Sequence, residues 1–271
     1  MPLSGPRKAT RLAVIGHPVS HSRSPAMQNA ALADLDLAPE WSYGAIDVEP
    51  ADLEATVSGL PELGFAGVNV TVPHKEAALA LADRAGAGAS EIGAANTLIF
   101  EGGSTRAENT DAPGVTNAIG ELAPGTLALV LGAGGAARAV LWALLGLGAE
   151  VSVWNRTRAR AETMVGDLGG KVDPDPQTSS FDLIVNASAA GLGGEDTIAE
   201  LPLDPTRFRS GQTVVDMVYG SEPGPMLAAA ASQGARTIDG LEILVRQGAL
   251  SLEIWTGREA PLDVMRAAAR A

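Results

Sequence analysis

The sequence predicts an α/β fold in two domains, each a mostly parallel sheet covered by helices. Three observations carry this prediction. Apolar runs at 11–16, 41–48 and 65–72 alternate with helical patterns at 25–35, 50–60 and 75–83. A second series begins near residue 111 and repeats the alternation. Within it, the apolar run Leu127–Leu131 enters a glycine-rich turn at 132–137 and leaves as a helical pattern through Leu145. Strands that alternate with helices are joined by crossover connections, which makes neighbouring strands parallel.

Each element has a local cause. Residues 11–16 form a buried strand, because the run is apolar throughout. The helix over 25–35 has Ser24 as N-cap and Pro25 in its first turn. Pro50 opens the helix at 50–60, and the strand at 65–72 stops at Pro73. Asn96–Phe100 is a strand, and Gly102-Gly103 makes the hairpin turn after it. A helix follows from Asp111 to about residue 121. Further strands lie at 150–154, 181–186, 212–217 and 235–239, and helices at about 240–256 and 261–270. The stretches 173–180 and 191–210 are rich in Gly, Pro, Asp and Ser and read as loops. The first domain spans 1–110, with the helices of 241–271 packing back on it. The second spans 111–240.

Composition bounds the function. The 271 residues carry a net charge of −13, which disfavours nucleic acid and anionic membranes as partners. There is no cysteine, so thiolate chemistry is excluded, and three histidines give no basis for a metal site. No apolar run approaches the roughly 18–20 residues of a membrane span. Residues 1–8 are polar and lack an apolar signal core, so the expected location is cytoplasmic.

The turn Gly132-Ala-Gly-Gly-Ala-Ala137 has the spacing G-x-G-x-x-A. The first glycine allows a tight turn, the second lets backbone approach a pyrophosphate, and the third small residue lets helix pack on strand. The helix start offers N–H groups and a positive dipole end to phosphates. About 20 residues on, folds that bind NAD place an acid for the ribose 2′-hydroxyl. Here the strand 150–154 ends in Asn155-Arg156-Thr157, with Arg158 and Arg160 close by. Guanidinium groups suit a 2′-phosphate, which points to NADP. The same arginines also read as a solvated helix start.

Two further segments carry polar chemistry. Gly16-His-Pro-Val-Ser-His-Ser-Arg-Ser-Pro25 follows the first strand, and Ser22 and Ser24 are placed to bind a carboxylate, or Ser24 only to cap the helix. Asn69-Val-Thr-Val-Pro-His-Lys75 ends the third strand, where Asn69, Thr71 and Pro73 share one face. Lys75 reads as a surface lysine or as a general acid/base. Asp111 reads as a helix cap or as the carboxylate that orients Lys75.

With these segments the chain resembles the shikimate dehydrogenase family over essentially its full length. The resemblance rests also on Ala95-Asn-Thr97, Asn109-Thr-Asp111, Asn186-Ala-Ser188, Asp216-Met217 with Tyr219, Asp239-Gly240 and Val245-Arg-Gln247. It implies an NADPH-dependent reduction of 3-dehydroshikimate to shikimate in chorismate and aromatic amino-acid biosynthesis. It also implies a substrate domain and a Rossmann-type NADP domain with the active site in the cleft between them. Ser22 and Ser24 would bind the substrate carboxylate. Asn69, Thr71, Asn96, Asp111 and Gln247 would bind ring hydroxyls, and Tyr219 would lie near the carboxylate or the cofactor. Lys75 would be the acid/base, with Asp111 beside it. Gly132, Ala133, Gly134, Gly135 and Ala136 would hold the pyrophosphate. Asn155, Arg156, Thr157 and Arg160 would bind the 2′-phosphate end, and Ala187, Met217 and Gly240 would line the nicotinamide pocket. A monomer or a homodimer is expected.

The chain departs from the family pattern at Asn186-Ala-Ser-Ala189, where Ala189 lacks a hydroxyl, and at Glu222-Pro-Gly-Pro225, which leaves the start of the next helix open. Two other functions compete with the first: a quinate/shikimate dehydrogenase-like paralogue and a non-catalytic NADP-sensing module. Ser24 favours shikimate over quinate, and the presence of both Lys75 and Asp111 speaks against a sensor.

Overall fold

The computed structural model describes residues 10–192, 197–220 and 222–271. The polar stretch 1–8 and part of the predicted loop 191–210 lie outside the described residues. In chain order the elements are β1 (Thr10–Gly16), α1 (Ser24–Asp34), β2 (Trp41–Asp47), α2 (Leu53–Gly59), β3 (Phe65–Val70), α3 (Lys75–Ala80), β4 (Arg84–Ala85), α4 (Ala87–Ile92), β5 (Thr97–Glu101), β6 (Ser104–Glu108) and α5 (Asp111–Ile119). Then follow β7 (Leu127–Leu131), α6 (Gly135–Gly146), β8 (Glu150–Trp154), α7 (Arg158–Leu168), β9 (Lys171–Val172), β10 (Leu183–Asn186), α8 (Thr197–Glu200), β11 (Thr213–Asp216), α9 (Pro225–Ser232), β12 (Arg236–Ile238), α10 (Gly240–Thr256) and α11 (Leu262–Arg270). They form two compact units, 1–110 with 248–271 and 111–247, so that α10 crosses from one to the other between Gln247 and Gly248.

The first unit is built on a sheet of order β2-β1-β3-β5-β6-β4. β1 pairs in parallel with β2 and β3, whereas β5 is antiparallel to both β3 and β6. The antiparallel pairing of β5 with β6 follows from the Gly102-Gly103 turn, where φ values of 59° and 79° favour glycine and fold the chain straight back. Ala13, Ile15, Val68, Val70 and Leu98 pack under Val48, Leu53, Val57 and Leu60, and α11 packs on α1.

The second unit carries a wholly parallel sheet of order β12-β11-β10-β7-β8-β9. In chain order this is the doubly wound arrangement, which reverses direction between β7 and β10. Ala128 and Val130 face Ala137, Val140 and Leu144 of α6, while Leu129 and Leu131 face Phe208, Met226 and Leu227. Both faces of β7 are therefore covered, and that is why its sequence is apolar without alternation.

Several expectations are corrected. Ser24 is not the N-cap of α1. The helix begins at Ser24, Arg23 stands in the cap position without a side-chain bond, and Ser24 is buried. Pro50 opens a 3-10 turn, Pro50–Asp52, ahead of α2. β3 ends at Val70, so the strand alternation does not extend to Thr71 and Pro73. The Gly/Pro-rich stretches contain the 3-10 turns Thr178–Ser180 and Pro205–Arg207 and the helix α8. α9 starts at Pro225, where the family departure had left the start open.

Candidate active site

In open α/β sheets, ligands gather beyond the carboxyl ends of the strands, at the point where the strand order reverses. In the first unit that point lies between β1 and β3. The two chain segments leaving these strands meet there. His17 N–H donates to the Val72 carbonyl (2.9 Å) and Thr71 N–H to the Ile15 carbonyl (2.9 Å). Gly16 is packed against Thr71: a Cβ at residue 16 would collide with Thr71 Cγ2 and lie 3.0 Å from the Val72 carbonyl. Ser22 and Ser24 follow on the β1 side. Ser24 N–H donates to Ser22 Oγ (3.2 Å), so the Ser22 hydroxyl supplies the cap interaction that Ser24 was expected to make.

On the β3 side, Lys75 is the first residue of α3 and half-buried. Its carbonyl accepts from Ala95 N–H (2.9 Å), which ties the start of α3 to the Ala95-Asn96 segment before β5. His74 is buried, with its Nε2 2.7 Å from the Val48 carbonyl. His17 Nδ1 lies 2.6 Å from Asp47 Oδ1. That hydrogen bond raises the histidine above its ordinary pKa and holds the aspartate below its own.

Beneath these residues lies a polar network that sequence reasoning only partly foresaw. Tyr43 OH donates to Asn69 Oδ1 (2.7 Å). Asn69 Nδ2 donates toward the Asn96 carbonyl (3.1 Å), Thr97 Oγ1 (3.2 Å) and Ser251 Oγ (2.9 Å). Asn96 Nδ2 donates to Thr110 Oγ1 (2.9 Å), and Thr110 N–H returns a bond to Asn96 Oδ1 (2.7 Å). Asn69 and Asn96 were predicted site residues. Tyr43 and Ser251 were missed, and Thr97 and Thr110 had been given no role. A signal for Ser251 existed: it is a polar residue four positions after Gln247 on an otherwise apolar helical stripe.

In the second unit the glycine turn leaves β7 where the strand order reverses. Gly132 adopts φ +116°, and a Cβ there would lie 2.9 Å from both the Ala187 carbonyl and Ser188 N. Gly134 is the opposite case: a Cβ would meet nothing within 4 Å. Gly134 caps α6 in extended conformation without a side-chain bond. Gly135 and Ala136 form the first turn, whose N–H groups have no partner inside the helix. Open space over first-turn donors is what a pyrophosphate requires, and Ala133, largely buried, leaves that space clear.

Beyond β8, Arg156 is exposed and no carboxylate stands at the strand tip. Asn155 Nδ2 donates to the Thr157 carbonyl (2.9 Å), bending the chain into α7, and Thr157 is its N-cap. Arg158 is spent on Glu162 (2.7 Å), one helical turn on. Arg160 lies in the exposed first turn of the same helix. This donor set fits a 2′-phosphate and offers no carboxylate to a free ribose diol.

The residues expected around the nicotinamide are drawn together by a second network. Asn186 Nδ2 donates to Asp216 Oδ1 (2.8 Å), Val218 N–H donates to the same oxygen (3.1 Å), and Ser188 Oγ donates to Asn186 Oδ1 (2.6 Å). Ala187 and Met217 are carried on these two loops. Gly240 presses on Met217: a Cβ would lie 2.5 Å from the Met217 carbonyl. Tyr219 is half-buried two residues beyond Met217. Asp111 opens α5 and is only 3% exposed, and Gln247 packs on Gly114 of the same helix. Among the described residues no cluster suited to a metal ion occurs. No helix among them is long and apolar enough to cross a membrane.

Burial pushes the Asp216 carboxyl up to about 6 against the hydrogen bonds that favour its charged form. The native state thus holds this proton more tightly than the unfolded chain. Stability from this group is greatest below about pH 4 and is lost as pH rises through 6. Asp216→Asn keeps an acceptor for Asn186 and Val218 and removes the buried charge. It should exceed the wild type in stability at pH 7 by on the order of 2–3 kcal/mol. Denaturant titration at pH 4 and pH 7 should show the advantage vanishing at the lower value, and an unchanged difference would refute this account.

Comparison with known proteins identifies the family. Residues 14–98 match the model of the shikimate dehydrogenase substrate binding domain and residues 240–270 that of the shikimate 5'-dehydrogenase C-terminal domain. The chain is 44% identical over 94% of both chains to a shikimate dehydrogenase (NADP(+)) of an Anaeromyxobacter species. It is 42% identical to the enzyme of that name from Moorella thermoacetica, over 94% of this chain and 90% of the relative. The crystal structure of shikimate 5-dehydrogenase from Thermus thermophilus, in complex with NADP(H) and shikimate, superposes with a TM-score of 0.87 at 40% identity. It covers 96% of this chain and 98% of that one. Full-length similarity of this degree, on a chain whose glycine turn and strand-end polar residues stand at the two switch points, places it in the shikimate dehydrogenase family.

Proposed function

We propose that this chain catalyses the reversible NADPH-dependent reduction of 3-dehydroshikimate to shikimate; the relatives' name, shikimate dehydrogenase (NADP(+)), supports the reading. The observation that carries the reading is the junction beyond β1 and β3, where His17 N–H bonds the Val72 carbonyl and Thr71 N–H the Ile15 carbonyl, tying together the two segments that carry Ser22, Ser24, Thr71 and Lys75. Ser22 and Ser24 offer hydroxyls to a carboxylate. Asn69, Thr71, Asn96, Asp111 and Gln247 take ring hydroxyls, and Tyr219 stands near the carboxylate or the cofactor. A site built to pair those groups rejects analogues that lack them, because its own buried partners would go unpaired.

Bound NADPH supplies the hydride. Lys75 stabilises the alkoxide that grows on the ketone oxygen and delivers a proton to it, and Asp111 orients the ammonium. Gly132, Ala133, Gly134, Gly135 and Ala136 hold the pyrophosphate. Asn155, Arg156, Thr157 and Arg160 hold the 2′-phosphate, and Ala187, Met217 and Gly240 line the nicotinamide face. The reading places the enzyme in the cytoplasm as a monomer or homodimer. The net charge of −13 supports the exclusion of nucleic acid and anionic membranes as partners.

The test is an initial-rate assay that pairs shikimate or quinate with NADP or NAD. Activity confined to shikimate with NADP is expected. Comparable rates with quinate or NAD would make the chain a paralogue of broader use, and NADP binding without any rate would make it a sensor. Arg156→Ala should raise the KM for NADP by about 10- to 100-fold, the worth of a charge-assisted hydrogen bond, and leave that for NAD nearly unchanged. Equal effects on both cofactors would remove Arg156 from the 2′-phosphate.

A further inference from the structure

The buried network of the first unit has a centre, and the centre is a residue with no place in the reaction described above. Ser251 Oγ lies 2.9 Å from Asn69 Nδ2, 2.9 Å from Thr97 Oγ1 and 3.0 Å from Thr110 Oγ1. These partners come from the end of β3, the start of β5 and the residue before α5. β3 and β5 pair with Asn69 opposite Thr97, which brings the first two to one level of the sheet. Ser251 itself is fully buried.

The orientation of Asn69 is forced. Its nitrogen faces the Asn96 carbonyl at 3.1 Å. The reversed amide would set oxygen against oxygen there, and Tyr43 OH then completes the other end by donating to Oδ1. The Asn69 nitrogen has two hydrogens and three acceptors within reach, all of them in the protein. A side chain so committed has no hydrogen left for a ligand.

We propose that Ser251 is a positioning residue for the reaction: its hydroxyl gathers Asn69, Thr97 and Thr110, and through them fixes Asn96 and the start of α5 where Asp111 stands. The path to the reacting groups is short. Thr110 is the chain neighbour of Asp111 and exchanges two hydrogen bonds with the Asn96 side chain. Ala95, on the other side of Asn96, is bonded to the Lys75 carbonyl. The hydroxyl of Ser251 is thus linked to the backbone of Lys75 through Thr110, Asn96 and Ala95, and to the chain position of Asp111 through Thr110. Asn69 belongs to the same network through its amide nitrogen.

Ser251→Ala leaves Asn69, Thr97 and Thr110 each with at least one other partner, so the variant should fold. The kinetic readout rests on the dehydrogenase reading; the structural readout does not. With shikimate and NADP, Ser251→Ala should lower kcat at least about tenfold, the worth of a lost buried hydrogen bond, and keep the KM for NADP within about twofold. Tyr43→Phe keeps the ring that packs on Trp255 and removes only the hydroxyl, and should show the same split. In NMR spectra of the full chain labelled at asparagine, the Asn69 side-chain amide should exchange slowly in the wild type and at least about tenfold faster in Ser251→Ala. Unchanged kcat in both variants, or an Asn69 amide that exchanges as a free amide in the wild type, overturns the proposal. A wild type that fails to oxidise shikimate overturns the dehydrogenase reading instead, and the exchange of the Asn69 amide then still decides whether Ser251 holds this network.

Discussion

Lys75→Ala should lower turnover of shikimate by about three to four orders of magnitude, the upper range for a lost general acid/base. The KM for NADP should stay within about twofold, because Lys75 belongs to the first unit and the glycine turn and Arg156 to the second. The size of the effect follows from what the reaction needs. Hydride arriving at a ketone carbon leaves charge on oxygen, and water at neutral pH is a poor proton donor. Lys75 is held at the start of α3 by the Ala95 bond to its carbonyl, so its backbone is fixed at the carboxyl end of β3. Lys75→Arg separates the two duties of the residue. It keeps the positive charge but cannot release a proton in the working pH range, so it should be nearly as inactive as the alanine variant. An arginine variant with more than about a tenth of wild-type kcat would show that charge alone suffices and that the proton comes from elsewhere.

What was legible in the sequence divides along a physical line. Elements whose two faces are buried announce themselves by unbroken apolar runs, as β1, β7 and β10 do, and the glycine turn is legible because its backbone demands are local. Short elements were not legible. β4 and β9 have two residues each and owe their pairing to neighbours distant in sequence, Arg106 and Ala107 for β4 and Ser152 and Val153 for β9. Ser24 shows a subtler limit. Serine before proline reads as a cap, yet the helix starts one residue early because Ser22 supplies the oxygen. At the site, the residues that follow the strands were legible and their support was not. Tyr43 looks like an ordinary strand tyrosine, and Ser251 like a small residue on a helix. Their meaning comes from the approach of β2, β3, β5 and α10, which no local pattern encodes.

The two glycines of the turn should respond to the same substitution in opposite ways, although in sequence they form a single motif. Gly132 stands at φ +116°, with backbone of the Ala187-Ser188 loop 2.9 Å from where a Cβ would go. Alanine there meets strain of about 1–3 kcal/mol from the dihedral and about as much again from overpacking against atoms that cannot rotate away. Gly132→Ala should therefore melt well below the wild type, by roughly 5–15 °C. It should also bind NADP poorly, because the loop it displaces carries Ala187. Gly134 has φ −102°, open to any residue, and no atom within 4 Å of a Cβ. Gly134→Ala should fold as well as the wild type, or gain up to about 1 kcal/mol from a less flexible unfolded chain. Its new methyl group would occupy the space over the first turn of α6, and the KM for NADP should rise at least about tenfold with the melting temperature unmoved. The pair is decisive because it separates backbone geometry from ligand space. If Gly134→Ala bound NADP normally, the pyrophosphate could not lie over the first turn of α6, and the cofactor assignment of the whole turn would have to be withdrawn.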